Sequence, residues 1–257
     1  VKRSDVWITS KLWCNSHRKE DVMPALKHTL NNLQLDYLDL YLVHWPVAFS
    51  PDTYPTVPNE FISLDAIPLS ETWEGMVDAK NENLCRHIGV SNFSVLKLKD
   101  MMAYSSVKPE INQIELHPYL QQKEMLDFCK EHNIFLTAYS PLGTSEADKV
   151  LANKKETTLL KHPDIIAIAS QNNCTPAQVL IQWAIARGTS VIPKSVNPER
   201  IKQNLEAVLV YLSDENMSAI NSLDLKLRFV DGTFWVMEGA PYTLENLWDE
   251  QLIHVQR

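Results

Sequence analysis

The sequence predicts an α/β fold in which parallel strands close into a barrel, and three observations support this. Strand-like and helix-like segments alternate along nearly the whole chain, which requires parallel pairing through right-handed crossovers. A doubly wound dinucleotide-binding sheet would need a G-x-G-x-x-G turn, but only six glycines occur in 257 residues and no two have that spacing. Polar residues gather past the ends of the strands, where the active sites of (β/α)8 TIM barrels lie.

Six segments rich in β-branched and aromatic residues are predicted as strands buried on both faces. They cover residues 5–12, 39–44, 86–90, 110–116, 134–140 and 189–193. The segments between them predict helices over residues 19–33, 70–81, 95–104, 122–132 and 175–187.

Two helix starts are strongly marked. Thr175 is a suitable N-cap, Pro176 stands at the first turn and Gln178 completes a capping box. Asn197 followed by Pro198 predicts a further helix in the same way.

Composition excludes several classes of protein. A content of 45% hydrophobic and 22% charged residues is that of a globular chain with a sizeable core. The net charge of -8, without a Lys/Arg-rich run, argues against nucleic acid or an anionic membrane as the partner. The four cysteines are scattered, without metal-ligand spacing, and the residues given show neither a signal-peptide pattern nor a long apolar run. We therefore expect a cytoplasmic protein without a metal.

Polar residues follow each of the six strands. In order they are Lys11, His44, Ser91 with Asn92, Gln113, Tyr139 with Ser140, and Lys194 with Ser195. Any one of them is compatible with a polar group that merely closes a strand. All six together indicate a functional rim at the carboxyl ends of the strands.

Five motifs then carry a resemblance to a known family. "LDLYLVHWP", "IGVSNF", "NQIELHPYL", "TAYSPLG" and "VIPKSVNPERIKQN" occur in this order and resemble successive signatures of the aldo-keto reductase family, over Val1 to about Leu223. The resemblance implies a (β/α)8 barrel that binds NADPH in an extended pose and transfers hydride to an aldehyde or ketone. It also implies a catalytic set of Tyr, Lys, Asp and His.

Two members of that catalytic set have counterparts here. His44 resembles the substrate-orienting histidine, and Lys11 resembles the lysine that lowers the pKa of the catalytic acid. Hydride attack on a carbonyl carbon places negative charge on its oxygen, which needs a donor aimed at it and then a proton. A neutral His44 is suited to donate to that oxygen, and Lys11 supplies a positive field.

The resemblance also implies the cofactor contacts. Tyr139 would stack on the nicotinamide, while Ser91, Asn92 and Gln113 would hydrogen-bond its carboxamide. Ser140, Leu142 and the segment up to Lys149 resemble the loop over the pyrophosphate. The remaining positions, which would grip the 2′-phosphate and the adenine and so favour NADPH over NADH, are Lys194, Ser195, Arg200, Gln203 and Asn204.

Substrate specificity is expected from two rim segments, residues 47–69 and 229–248, together with Trp13 and Trp45. Their aromatic content predicts a fairly hydrophobic site for a small carbonyl compound. The same residues are also compatible with plain packing. The chain is expected to be a monomer, with a dimer as the alternative.

The strand count departs from the family. Only six strands can be counted where a closed barrel of this type has eight, so we expect a single domain over residues 1–257 that lacks the first two β/α units. Residues 1–223 would form units three to eight, and residues 224–257 the C-terminal rim loop and tail. The catalytic Tyr and Asp have no counterpart in the chain. The alternative function is therefore an inactive relative that binds cofactor or regulates.

Overall fold

The computed structural model describes residues 1–51, 54–144, 151 and 157–249. They form an α/β fold whose main sheet is parallel. By its internal contacts the chain divides into two compact units. The first comprises residues 1–112 and the described residues from Gly232 onward, and the second comprises residues 113–231.

The elements follow one another in strand-helix alternation. The strands are β1 (Thr9–Leu12), β2 (Leu38–Val43), β3 (Ala48–Phe49), β4 (Phe61–Ile62), β5 (Cys85–Ser91), β6 (Ile111–Glu115), β7 (Phe135–Tyr139) and β8 (Ser190–Val191). The helices are α1 (Lys19–Leu33), α2 (Leu69–Asn81), α3 (Val95–Tyr104), α4 (Lys123–Glu131), α5 (Pro163–Gln171), α6 (Pro176–Ala186), α7 (Pro198–Glu206), α8 (Asp214–Asn221) and α9 (Leu244–Trp248). Short 3-10 turns occur as well, including Arg3–Asp5 and Thr233–Trp235.

In the first unit, β1, β2 and β5 pair in that order and in parallel. Every residue of β2 is buried, as expected of a strand covered on both faces. A Cβ on Gly75 of α2 would lie 2.7 Å from Cγ2 of Val22 on α1. The absence of a side chain at Gly75 therefore lets α1 and α2 pack closely.

The second unit contains the pairing of β7 with β8, in which Thr137 lies opposite Ser190. The hydroxyls of these two residues are 2.8 Å apart and share a hydrogen bond. Along the chain, the boundary between the two units falls within β6, between Asn112 and Gln113. Helix α7 buries none of its residues, and its apolar side chains Ile201 and Leu205 face solvent.

Both predicted helix starts are confirmed. Thr175 Oγ1 accepts from the backbone N–H of Gln178 at 3.3 Å, and Gln178 Oε1 accepts from the N–H of Thr175 at 3.0 Å. Asn197 Oδ1 accepts from the N–H of Arg200 at 3.1 Å. These bonds satisfy N–H groups that have no partner inside the helix.

Residues 5–8 were expected to begin the first strand, and that expectation is wrong. The strand starts at Thr9 because two side chains hold the preceding residues instead. The carboxylate of Asp5 accepts from the N–H of Lys2 at 3.1 Å, which closes a 3-10 turn, and the carboxylate of Asp39 accepts from the N–H of Ile8 at 2.8 Å.

Among the described residues, no helix is long and apolar enough to cross a membrane.

Candidate active site

Three of the expected site residues lie at the ends of neighbouring strands of the first unit. Lys11 pairs with Leu42, and Leu42 pairs with Gly89. Side chains alternate between the two faces of a strand, so His44 and Ser91, each two residues further on, continue on the face of Lys11. The strand register therefore places Lys11, His44 and Ser91 on one face of the sheet.

The backbone of His44 is fixed on both sides. Its N–H donates to the carbonyl oxygen of Leu12 at 3.1 Å, and its own carbonyl oxygen accepts from Nδ2 of Asn92 at 3.0 Å. The ring of Trp13 lies edge-on to the imidazole, with centroids 5.0 Å apart. These contacts hold the imidazole at the end of β2 without using its ring nitrogens.

The electrostatics around His44 keep its ring neutral. Burial and, to a lesser extent, the nearby positive charge of Lys11 together lower the pKa of His44 to about 4. Burial also lowers the pKa of Lys11. In the described part of the first unit, the Lys11 ammonium has no carboxylate within ion-pair distance. The strand ends thus present a neutral imidazole beside a cation that forms no ion pair with a carboxylate among the described residues of this unit.

Asn92 links the ends of two strands. Its backbone has φ of 62°, in the left-handed region that asparagine tolerates better than most residues. Besides its bond to His44, its Nδ2 donates to Oγ of Ser91 at 3.3 Å. Ser91 and Asn92 are 1% and 2% exposed, so their polar groups belong to a buried framework.

Aromatic side chains surround the two tryptophans expected to bind substrate. Trp13 is partly exposed and Trp45 is buried. Trp235 contacts both of them, at centroid distances of 5.8 Å to Trp13 and 6.0 Å to Trp45, and Trp248 lies 5.7 Å from Trp45. The structure therefore extends the aromatic surface beside His44 with two residues from the C-terminal segment of the first unit.

The second unit carries the other strand-end residues. Gln113 is buried on β6, and Tyr139 closes β7 with its ring partly exposed. Burial, followed by the negative charge of Glu115, raises the pKa of the Tyr139 hydroxyl. Ser140 has φ of 49° and its carbonyl oxygen accepts from the N–H of Gly143 at 2.9 Å. Leu142 lies in that turn, whereas Lys149 is outside the described residues.

The predicted phosphate and adenine residues lie on and just before α7. Lys194 and Arg200 are exposed, and neither makes an ion pair with a carboxylate of the described second unit. Ser195 Oγ accepts from the N–H of Asn197 at 3.1 Å, so this hydroxyl also shapes the helix start. Gln203 donates to Glu199 at 3.3 Å. Asn204 lies four residues after Arg200 on the same helix and is partly exposed.

Two features of the site were not predicted from the sequence as individual residues. The first is the pair Trp235 and Trp248, although the segment that contains them was expected to contribute to substrate specificity. The second is Glu115, fully buried in the second unit, whose carboxylate is 2.8 Å from Nε2 of His117 and accepts from the N–H groups of Phe229 and Val230 at 2.8 Å. In the sequence, the motif "IELH" was the only indication of the buried Glu115. Among the described residues, no cluster of three or more potential ligands offers a metal site.

Comparison with known proteins identifies the class of this fold and site. Residues 1–225 match the model of the aldo/keto reductase family. The chain is 50% identical over 251 residues to "Aldo/keto reductase slr0942" of Synechocystis sp., a match covering 97% of this chain and 77% of that protein.

Animal relatives agree. The chain is 42% identical over 245 residues to "Aldo-keto reductase family 1 member C1" of Macaca fuscata fuscata, covering 94% of this chain and 75% of the relative. It is 41% identical over 232 residues to "Aldo-keto reductase family 1 member A1" of Bos taurus, covering 90% of this chain and 71% of the relative. The chain belongs to the aldo/keto reductase family and is an NAD(P)H-dependent oxidoreductase, which confirms the family predicted from the five motifs.

Proposed function

We propose that the protein reduces aldehydes or ketones to alcohols by hydride transfer from NADPH. The observation that carries this proposal is the neutral imidazole of His44 beside the Lys11 ammonium on one face of the sheet. A neutral imidazole donates one N–H and holds no charge of its own, which suits it to orient a carbonyl oxygen.

The chemistry of these two residues matches the needs of carbonyl reduction. When bound, NADPH would supply the hydride to the carbonyl carbon, and the alkoxide formed would take its proton from solvent water. His44 donates a hydrogen bond to the carbonyl oxygen and so stabilises the negative charge that develops there. The Lys11 ammonium adds a positive charge at the same strand ends, in surroundings that are partly buried and therefore strengthen its field.

The residues of the second unit fit a phosphate-bearing cofactor. Lys194 and Arg200 carry positive charge near the N-terminus of α7, without a carboxylate partner in that described unit. Cations without partners at a helix N-terminus suit an anion. In the proposal Lys194, Ser195, Arg200, Gln203 and Asn204 hold the 2′-phosphate and adenine, Ser140 and Leu142 the pyrophosphate, and Gln113 and Tyr139 the nicotinamide.

Three further parts belong to the same proposal. The parallel strands belong to a (β/α)8 barrel that forms a single domain, as the family resemblance implies. The substrate is a small carbonyl compound bound beside Trp13 and Trp45 by a monomeric enzyme. The compartment is the cytoplasm, which the unpaired Cys14, Cys85, Cys129 and Cys174 support.

The cofactor test is a titration of the protein with NADPH and with NADH, followed by quenching of tryptophan fluorescence. Arg200→Ala should weaken NADPH binding about tenfold or more, since a charge-assisted bond contributes about 1.5–3 kcal/mol, and leave NADH binding unchanged. The matched control is Lys202→Ala on the same helix, because Lys202 already has a partner in Glu206 at 3.7 Å. Equal losses for both cofactors would contradict a 2′-phosphate contact at Arg200.

The catalytic test is the loss of NADPH absorbance with an aromatic aldehyde. His44→Phe keeps an aromatic ring and removes the N–H, so it should abolish turnover while NADPH still binds. Saturable NADPH binding without turnover in the unsubstituted protein would instead favour the alternative function, a relative that binds cofactor without catalysis.

A further inference from the structure

Residues 232–249 of the first unit form a closed loop, called here the C-terminal loop. Gly232, at its beginning, has φ of +85°, and a Cβ at this position would lie 2.3 Å from Cδ2 of Leu247, near its end. The two ends of the loop are therefore in contact. Its last helix, α9, is capped by reciprocal hydrogen bonds between Thr243 and Asn246, at 2.9 and 3.1 Å.

The C-terminal loop contributes to the aromatic surface next to His44. Trp248 lies against Trp45, and Trp235 lies against both Trp45 and Trp13. Trp13 in turn contacts the imidazole of His44. Any shift of α9 will therefore move aromatic side chains that border the proposed substrate site.

One buried cation fixes the end of the loop. Lys97 of α3 is 8% exposed, and its Nζ donates to the carbonyl oxygens of Asn246 at 2.7 Å and Leu247 at 3.2 Å. The same nitrogen lies 2.6 Å from Oδ2 of Asp249. These three contacts use all three protons of the ammonium group. A cation on the last carbonyls of α9 also matches the negative end of the helix dipole.

Two other contacts support this attachment. Ser94 Oγ, which caps α3, also donates to the carboxylate of Asp249. The hydroxyl of Tyr242 accepts from the N–H of Ala48 at 2.7 Å and donates to the carbonyl oxygen of Ile62 at 2.6 Å, which ties the middle of the loop to β3 and β4. The loop is thus held at its middle by Tyr242 and at its end by Lys97.

We propose that Lys97 is a positioning residue for substrate recognition. By holding α9 and Asp249, it keeps Trp248 and Trp235 in place beside Trp45 and Trp13, and so determines which large aromatic carbonyl compounds fit next to His44. Small aliphatic aldehydes need less of this surface and depend less on it. The inference rests on the proposed carbonyl reductase function.

The test compares Lys97→Met with the original protein, using a naphthaldehyde and propanal as substrates. Methionine keeps the apolar stem of the side chain and removes the three donors. KM for the naphthaldehyde should rise about tenfold, which corresponds to about 1.4 kcal/mol of lost binding. The kcat value, KM for propanal and the affinity for NADPH should stay within about twofold, a factor well below 1 kcal/mol. Lys99→Met, an exposed position on the same helix, is the matched control and should change nothing.

A second variant guards against a simple loss of folding. Asp249→Asn keeps the shape of the side chain and removes its charge, and it should raise the same KM in the same direction. Thermal melting of each variant shows whether it folds. If KM for both substrates rises equally, or if neither KM changes in a folded variant, the positioning role is wrong. If the original protein binds NADPH but reduces neither aldehyde, the proposed function fails first and this inference fails with it.

Discussion

The side-chain amide of Asn92 donates a 3.0 Å hydrogen bond to the backbone oxygen of His44. This bond joins the end of β5 to the end of β2, and the N–H of His44 is bonded to Leu12 at the end of β1. Three neighbouring strands of the sheet, β1, β2 and β5, are thus connected at His44. His44 owes its fixed position to backbone bonds, which leaves its ring nitrogens for other partners.

The bond predicts a difference between two substitutions of Asn92. Asn92→Gly removes the amide but keeps a residue that adopts φ of 62° without strain. Asn92→Ala removes the amide and adds the cost of the left-handed conformation, about 1–2 kcal/mol. Alanine should therefore be less stable than glycine by about 1 kcal/mol in urea unfolding. Equal stabilities would mean that the backbone at this position is not strained.

Lys11 predicts a measurable change in the titration of His44. The positive charge of Lys11 lowers the pKa of His44 in addition to the effect of burial. In Lys11→Met the charge is gone and burial remains, so the pKa of His44 should rise from about 4 but stay below its usual value. NMR titration of the His44 ring protons measures this. Lys27→Met, exposed on α1, should leave the titration unchanged, and a lower pKa in Lys11→Met would contradict the geometry.

The sequence predicted the repeating part of the fold well because its signals are local. Runs that are apolar apart from one residue, such as "LDLYLV", indicate buried strands, and Thr175 and Asn197 mark helix starts through bonds to residues three positions away. The hairpin of β3 and β4 was missed because each strand is two residues long, too short for a period of two to be visible.

In the candidate site, too, some residues could be predicted from the sequence and others could not. Lys11, His44 and Asn92 could be predicted because they follow strands whose ends lie at one edge of a parallel sheet. The contact of Lys97 with Asp249 joins residues 152 positions apart, and no sequence pattern links them. Nor does the sequence reveal that Trp235 lies on Trp13, since that contact depends on how the C-terminal loop closes.

Gly89 predicts a severe effect from a small substitution. A Cβ at this position would lie 2.3 Å from the carbonyl oxygen of Ile111 and 2.9 Å from Cδ2 of Leu42. Because a backbone atom is involved, the strand itself has to shift, and Gly89→Ala should cost about 3 kcal/mol, at the upper end for an overpacked site. Gly188→Ala is the matched control, with φ of +87° and open space around the added methyl group. It should cost only about 1 kcal/mol, and equal losses in urea unfolding would show that β5 has room to move.

His17 predicts how stability depends on pH. The side chain is 1% exposed, and neither ring nitrogen has a hydrogen-bond partner among the described residues. Burial lowers the pKa of His17 from 6.5 to about 3, so between these values the unfolded chain binds one proton more than the folded chain. Stability must then fall as the pH falls through this range, by about 1.4 kcal/mol per pH unit for this group.

The test is His17→Leu. Leucine fills the site without a titrating group, and it leaves no buried polar atom without a hydrogen bond. Urea unfolding at several pH values should therefore show His17→Leu losing less stability on acidification, by close to one proton in the slope. The slope that remains includes His44, whose lowered pKa acts in the same direction. An unchanged slope in His17→Leu would mean that this ring is protonated in the folded state.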